Sequence, residues 1–593
     1  MAPRTQGQPG GAPRSGREAA AIGLAVLLAI GLLAPGLGVT PLDDPGEGQQ
    51  AEIAREMWAG GTPLDLRLNG VRYFDKPPAL YWIAAAAFSI WGPTEWAARL
   101  GPVIGATLAV AGTTCLGARL LGPGWGVAAG AALLSSTFFF VYGRYVRPET
   151  LFVAAIQWGF AGLLLAGAAR GRRAFAVLGG AALGLASLTK DPLGLAGPLL
   201  AVAAARALAG RLRPVTDWLP PPAIAAMLGL GFGWYALTGL REPGYLWYTV
   251  VDNHLLNVAR ARHFPDEDVP LSALEFLAVG AAGALPWTIP AVLAVLSLVR
   301  RRAWRDPEEI PWTALGIWAV GVFAVFTASP FTLPHYAVPA YPALALLAVR
   351  WWRDRAAAAA RGAIVLHAAI LGILAIGLGA VAWSGGLAFT EAVLTASDVS
   401  ARQEGGVREA AAGPVWATLD PLIRRMAVAF GAAAIVLLVL AWRRAPRTAL
   451  AVVLTAMLAA MTAAATAMDG FAASRSVAGM AREIGARIGS DEILVHEGPI
   501  ENSGALEFYS GRRPILLEAR RSVLGFGGTY PEAAEWFWDG ARLRREWLAD
   551  RRILLLSPRE PGASVIVSLP PDRVEVLARG NGRTLYRSAA GRR

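Results

Sequence analysis

Cysteine is almost missing from this 593-residue chain. Cys115 is the single one and sits in an apolar run, so neither an intrachain disulfide nor a cysteine-rich metal centre can form. Charge is scarce as well: Asp, Glu, Lys and Arg make up 17% of the residues. Soluble domains carry about a quarter, so an ordinary soluble enzyme is excluded. Lysine is rare beside arginine, within an Ala- and Gly-rich composition of the kind high-GC bacterial genomes encode. What the chain has in quantity is apolar surface, with 55% hydrophobic residues and a mean hydropathy of +0.44. The formal net charge of +12 does not point to nucleic acid. Its positive residues form short arginine clusters beside apolar runs, the pattern that orients a membrane protein, and no nucleic-acid partner is expected.

The apolar stretches number about thirteen by the length rule for membrane helices. After a polar, basic N-terminus (1–18, expected disordered and cytoplasmic), a first run covers 19–39. It is long enough to cross a bilayer and has no clean cleavage site after it, so it reads as an uncleaved span rather than a signal peptide. Further spans read at 101–121, 124–142, 150–169, 174–189, 192–208, 218–239, 271–299, 311–328, 333–350, 362–384, 427–442 and 448–468. Threading them places the clusters Arg170/Arg172/Arg173, Arg211/Arg213, Arg300/Arg301/Arg302/Arg305, Arg350/Arg353/Arg355 and Arg443/Arg444/Arg447 on the side of the N-terminus. That is the positive-inside arrangement, and one span more or fewer would break it. The expected architecture is an all-α polytopic membrane domain (19–468) with a long first outer loop (40–100). A small α/β extracytoplasmic domain follows (469–593), in which Ile493-Leu-Val, Ile515-Leu-Leu, Ile553-Leu-Leu-Leu and Val565-Ile-Val-Ser-Leu read as strands.

The chemistry-bearing residues fall on the outer face. In the first loop, Leu42-Asp-Asp-Pro-Gly-Glu47 crowds three carboxylates, which oppose one another's ionisation unless a cation or hydrogen-bond donor is near. The stretch Ala51–Met57 reads as an amphipathic helix lying at the membrane interface. Asp75-Lys76-Pro-Pro follows, its prolines stiffening the backbone that aims the carboxylate and ammonium. Arg144, Arg147 and Glu149, the Lys190–Asp191 turn, Arg241–Glu242, His254 and His335–Tyr336 complete the set. Singly, each reads as an interfacial anchor or a snorkelling side chain. Together they suit group transfer from a lipid phosphate. Lysine and arginine bind the phosphate, and a carboxylate takes a proton from an acceptor hydroxyl or amine. Asp75 with His254 offers an oxygen and an imidazole to one divalent metal (Zn, Mg or Mn). In the tail, Phe508-Tyr-Ser-Gly-Arg-Arg513 reads as a strand-turn surface.

The run Asp44-Pro-Gly-Glu47…Ala51-Glu-Ile-Ala-Arg-Glu-Met57…Asn69-Gly-Val-Arg-Tyr-Phe-Asp75-Lys76-Pro-Pro…Tyr81-Trp82…Glu95-Trp-Ala-Ala-Arg99 resembles the N-terminal signature of the bacterial aminoarabinose (lipid A) transferase and protein O-mannosyltransferase-like group. These are GT-C glycosyltransferases that use polyprenyl-phosphate sugars. Thr189-Lys190, Arg241-Glu-Pro243, the His254 region, Gly283-Ala-Leu-Pro-Trp287 and Leu333-Pro-His-Tyr336 extend the likeness across roughly residues 20–350. The resemblance implies transfer of a sugar, with inversion, from an undecaprenyl-phosphate carrier to a lipid A, protein or other acceptor at the periplasmic face of a bacterial inner membrane. It implies a catalytic acid in the first loop, where Gly46 breaks the usual Asp-Glu pair and leaves Glu47, Asp44 or Asp43 for the role. It implies a second acid at Glu149, an Asp in relatives, and a donor-phosphate site at Lys76, Lys190, Arg241 and Tyr336. It also implies a metal pair at Asp75 and His254. The lysine usual before the Leu-Pro-x-Tyr motif is replaced by Phe331-Thr332. Two other readings carry different signatures. A lipid-linked-sugar flippase would show mid-membrane charges and an internal repeat. A surface-polysaccharide ligase would show one very large outer loop in its second half, and 385–426 is modest.

Overall fold

In the computed structural model, the described residues are 14–60, 62–166, 170–265, 270–397, 409–489, 491–549 and 551–589. Most of the expected disordered N-terminus therefore lies outside them, although helix α1 (Arg14–Leu33) starts before Ala19. Two short strands, β1 (Arg67–Leu68) and β2 (Val71–Arg72), follow α2 (Glu47–Gly60) and precede α3 (Ala79–Trp91). The membrane helices then run α4 (Glu95–Leu121), α5 (Pro123–Leu134), α6 (Thr137–Tyr142), α7 (Glu149–Leu165), α8 (Arg170–Thr189), α9 (Leu193–Leu208) and α10 (Pro221–Arg241). After a π-helix (Trp247–Leu256) come α11 (Ala273–Ala282), α12 (Thr288–Arg300), α13 (Ile310–Ala328), α14 (Tyr341–Ala358), α15 (Ala360–Trp383), α16 (Leu387–Ser397), α17 (Glu409–Arg443) and α18 (Pro446–Arg475).

Seven helices among the described residues are long and apolar enough to cross a membrane; the other apolar ones are shorter. Two expected single spans are each a pair of helices. The 124–142 stretch breaks at Ser135 and Ser136, whose hydroxyls donate to the carbonyl of Ala132 and so compete with the helical ladder. The 271–299 stretch breaks between Gly283 and Trp287, where Pro286 lacks the amide a continuous helix requires. The expected 333–350 span opens as a 3₁₀ turn (Pro334–Ala340) before α14. Helix α4 is the hub: 78% of its apolar window is buried, against 17–39% for the other six. Helices α7 and α8 meet through glycine, since a Cβ on Gly162 would come within 2.4 Å of the Gly179 Cα. Small residues let membrane helices close in this way, and here the contact sets the outer ends of α7 and α8 side by side.

Beyond α18, the tail contains helix α19 (Ala478–Arg487) and a six-stranded sheet of order β5-β4-β3-β6-β8-β7. Strands β3 (Ile493–Glu497), β4 (Ile515–Leu517), β5 (Phe537–Trp538) and β6 (Ile553–Ser557) are parallel. Strands β7 (Val574–Gly580) and β8 (Arg583–Ser588) add an antiparallel edge. The apolar runs of β3, β4 and β6 are continuous rather than alternating because parallel strands are buried on both faces. Val565–Ser568, expected as a strand, is a 3₁₀ turn.

The first outer loop and the tail share one core. Leu42, Ile53, Leu68 and Phe74 from the loop pack in the same cluster as Leu506, Leu516, Leu524 and Phe526 from the tail. Helix α2 is accordingly not a surface-lying amphipathic helix: Glu47 through Ala54 are all buried. Of Phe508–Arg513, only Gly511–Arg513 form the expected exposed turn. The stretch begins in a short helix (Leu506–Ser510), Phe508 packs on Phe88 at 6.2 Å, and the Tyr509 hydroxyl donates to Glu95 at 3.0 Å.

Candidate active site

The site starts at a tight hairpin. Asn69 and Gly70 both have positive φ, the requirement of the turn that joins β1 to β2, and an Asn-Gly pair meets it cheaply. The chain then runs to Asp75 and Lys76, which are ion-paired, and Pro77–Pro78 leads into α3. Although partial burial opposes its charge, the half-buried Asp75 carboxyl is held below the ordinary range by the Lys76 ammonium, with Arg262 and the Tyr73 hydroxyl adding to the effect.

Glu149 opens α7 behind Pro148, where unpaired amides favour a carboxylate; Lys190 ends α8, where carbonyls favour a cation. The two meet at 3.1 Å, and His335 Nε2 lies 3.4 Å from the same Glu149 oxygen, Oε1. Lys190 also sits over the Tyr336 ring at 5.1 Å and the Phe152 ring at 5.7 Å. Lys76 and Arg147 act electrostatically on both Lys190 and His335, and Lys76 also acts on His254. Asp75, Lys76, Arg147, Glu149, Lys190, His254, His335 and Tyr336 are thus parts of one charged assembly. The chain has only two lysines, Lys76 and Lys190, and both are in it. Glu149 Oε2 is buried with no hydrogen-bond partner.

The other expected site acids have partners of their own. Glu47 receives the Arg99 guanidinium on both oxygens (2.9 and 2.6 Å) and the backbone N–H groups of Val146 and Asp43 (both 3.0 Å). Arg99 in turn donates to the carbonyls of Leu37, Thr40 and Pro41. Asp44 accepts from the amides of Val477 and Ala505, both at 3.0 Å, and so joins loop to tail. Asp43 is ion-paired with Arg475 and accepts from the Tyr145 hydroxyl. These acids have their lone pairs occupied by structural donors. Arg241 is exposed at the last residue of α10. The arginine engaged there is Arg72, which pairs with Glu242 and Glu532.

For a metal, Asp75 and His254 each face another partner: Asp75 has Lys76. His254 has Asp191 on Nε2 (2.9 Å) and the Thr249 carbonyl on Nδ1 (2.6 Å). Both ring nitrogens meet acceptors, and the Asp191 hydrogen bond above all holds the imidazole toward its protonated form. With both ring nitrogens so engaged and Asp75 bound to Lys76, this pair does not fit a metal as it stands. Among the described residues, the group of three carboxylates with ligand spacing is Glu52, Glu56 and Glu507, bridged by Arg55 and Arg513.

That carboxylate group predicts a pH effect on stability. Burial, then repulsion from Glu507, pushes Glu56 up to about 7 from an ordinary 4.5. The folded protein therefore holds this proton more tightly than the unfolded chain. Lowering the pH from 7 toward 4.5 stabilises the fold, and raising it through 7 removes that gain. Glu56→Gln is expected to flatten the pH dependence of the thermal midpoint between about pH 5 and 8; an unchanged slope would refute the assignment.

The parts played by Arg262 and Asp191 do not follow from the sequence reading. Arg262 carried a usable signal, because the threading expected from the sequence puts Arg260 and Arg262 on the side that the positive-inside rule disfavours for arginine. Asp191 stood out only as the neighbour of Lys190, since its partner His254 is 63 positions away.

Residues 75–230 match the family model for dolichyl-phosphate-mannose-protein mannosyltransferases. The undecaprenyl phosphate-alpha-4-amino-4-deoxy-L-arabinose arabinosyl transferase of Serratia proteamaculans is 30% identical over 49% of this chain and 51% of its own length. Its counterpart from Edwardsiella ictaluri is 29% identical over 48% and 50%. The chain thus spans about half the length of the curated relatives it matches. The crystal structure of ArnT from Cupriavidus metallidurans bound to undecaprenyl phosphate superposes with a TM-score of 0.77 at 23% identity, over 96% of this chain and 98% of that one. The fold is therefore shared from end to end, tail included. Residues 75–230 thus match that family model, and over nearly the whole chain the fold is that of the aminoarabinose transferase structure.

Proposed function

We propose that the protein is an integral membrane glycosyltransferase that moves a sugar from a polyprenyl-phosphate carrier to a lipid or protein acceptor. The observation that carries this reading is the pairing of Lys190 with Glu149, whose second carboxylate oxygen is buried and unpartnered, in an assembly that also holds Lys76, the chain's other lysine. Lys76 and Lys190 supply positive charge for the carrier phosphate, with Tyr336 beside Lys190 and the Arg147 and Arg262 guanidiniums close by. As the bond from the sugar's anomeric carbon to phosphate oxygen breaks, its electron pair leaves with the phosphate, whose growing charge these cations stabilise. The acceptor oxygen or nitrogen attacks from the opposite face and gives its proton to Glu149 Oε2. Asp75 holds Lys76 in place, and Asp191 orients His254. No step is assigned to a metal. The relatives' names specify an aminoarabinose donor on undecaprenyl phosphate, and a lipid A-type acceptor on the periplasmic face accords with them. In this reading the N-terminus is cytoplasmic, and 19–468 transfers the sugar beneath a periplasmic 469–593. Arg241, at the exposed end of α10, meets the carrier only outside the buried assembly.

The test is mass spectrometry of lipids and surface glycans from a deletion strain and its parent. A missing glycosyl increment, restored by the wild-type gene but not by Lys76→Ala or Lys190→Ala, is the expected result. Full complementation by both variants, or identical glycan profiles, would remove the assignment.

A further inference from the structure

The tail sends one loop into the back of the charged assembly. The loop follows β4, and at its tip Phe526 is buried against aromatic rings from both segments that carry the site. It stacks on Tyr248 of the π-helix, with centroids 4.5 Å apart and planes within 6°. It meets Phe74, the residue before Asp75, edge-on at 5.4 Å, and Phe264 at 5.5 Å. Tyr530, four positions on, reaches Phe74 at 5.7 Å and donates from its hydroxyl to the Pro243 carbonyl at 2.8 Å. The approach is close: a Cβ on Gly527 would fall 1.9 Å from the Arg72 carbonyl oxygen, so only glycine fits. Phe526 thus contacts both Phe74 and Tyr248.

We propose that Phe526 is a positioning residue of the transfer reaction: a side chain of the C-terminal tail fixes the Asp75–Lys76 segment against the helix that bears His254. This rests on the transferase reading and adds to it a tail residue that touches no reacting atom. Phe74 and Asp75 are adjacent, and Tyr248 stands six residues before His254, so a displaced ring at either contact moves a charged group of the site. A misplacement of about 1 Å costs on the order of 100-fold in rate. The π-helix is a rare conformation, short of hydrogen-bond quality, and takes support from packing.

The experiment compares Phe526→Ala, Phe526→Tyr and Trp547→Phe in the full-length detergent-solubilised protein. Trp547 belongs to a separate core of the tail and serves as the stability control. Phe526→Ala should lower kcat for polyprenyl-phosphate sugar about 10- to 100-fold, and Phe526→Tyr should restore it. Hydrogen exchange should quicken in peptides covering 71–76 and 244–264 while β3 and β6 stay protected. Trp547→Phe should leave kcat unchanged. The inference is overturned if Phe526→Ala keeps wild-type kcat, if Trp547→Phe loses as much, or if exchange rises in the sheet rather than in the two segments. Should the wild-type protein transfer no sugar, the functional reading fails, and the exchange comparison alone still decides whether Phe526 holds the two segments together.

Discussion

Glu149→Gln is expected to abolish transfer while leaving the protein folded. Glutamine keeps the shape and the oxygen that faces Lys190, so packing at the head of α7 survives. What it loses is the capacity to take a proton at the unpartnered position. A positioned general base contributes about 100- to 10,000-fold, which sets the size of the expected loss in kcat. The effect belongs in kcat more than in KM, because the proton moves only in the transition state. Lys190→Ala has a different signature: it removes charge beside the carrier phosphate and raises KM for the donor as well. Both are measured with purified protein and acceptor over a range of lipid-linked donor concentrations, with the folded fraction checked by size exclusion. Glu149→Gln activity within about threefold of wild type would exclude a proton-accepting role.

Arg99→Ala is expected to cost about 3–5 kcal/mol, because it strands the Glu47 carboxylate in the buried core with its main cation gone. The arginine also ties down the carbonyls of Leu37, Thr40 and Pro41, so the link from α1 to α2 loosens with it. Glu47→Gln should be milder, since the amide still accepts hydrogen bonds, and the double variant should fall short of the sum of the singles. Thermal unfolding in detergent measures all three. A Glu47→Gln protein with wild-type stability and no transferase activity would return Glu47 to the chemistry and contradict the structural role drawn from its donors.

Hydropathy made the helical membrane architecture legible, because it reports local desolvation, which needs no knowledge of distant contacts. The site was legible where chemistry was rare: lysine in a chain that otherwise uses arginine, and a double proline after Asp75. It was illegible where a residue's partner lay far along the chain. Asp44 and Glu47 look alike from the sequence as crowded acids, yet one binds amides of the tail and the other binds Arg99. Helix α2 has the alternation of an interfacial helix, but its polar face turns to Glu507, Arg513 and the tail rather than to lipid headgroups. The broken helices at Ser135 and Pro286 stay hidden because a hydrophobic window averages over a single interruption.

The bond between Asp44 and the Val477 amide closes a loop of 433 residues. During synthesis the segment between α1 and α4 emerges early and must wait for its partners in the tail until nearly all of the chain has been made. Contacts of such separation form slowly, and the exposed intermediate is prone to misassembly. A nascent chain halted anywhere before the last helix has no means of burying Leu42 or Ile53 against their partners. Closure of this shared core is thereby tied to completion of translation, and half-made copies reach the membrane with it still open.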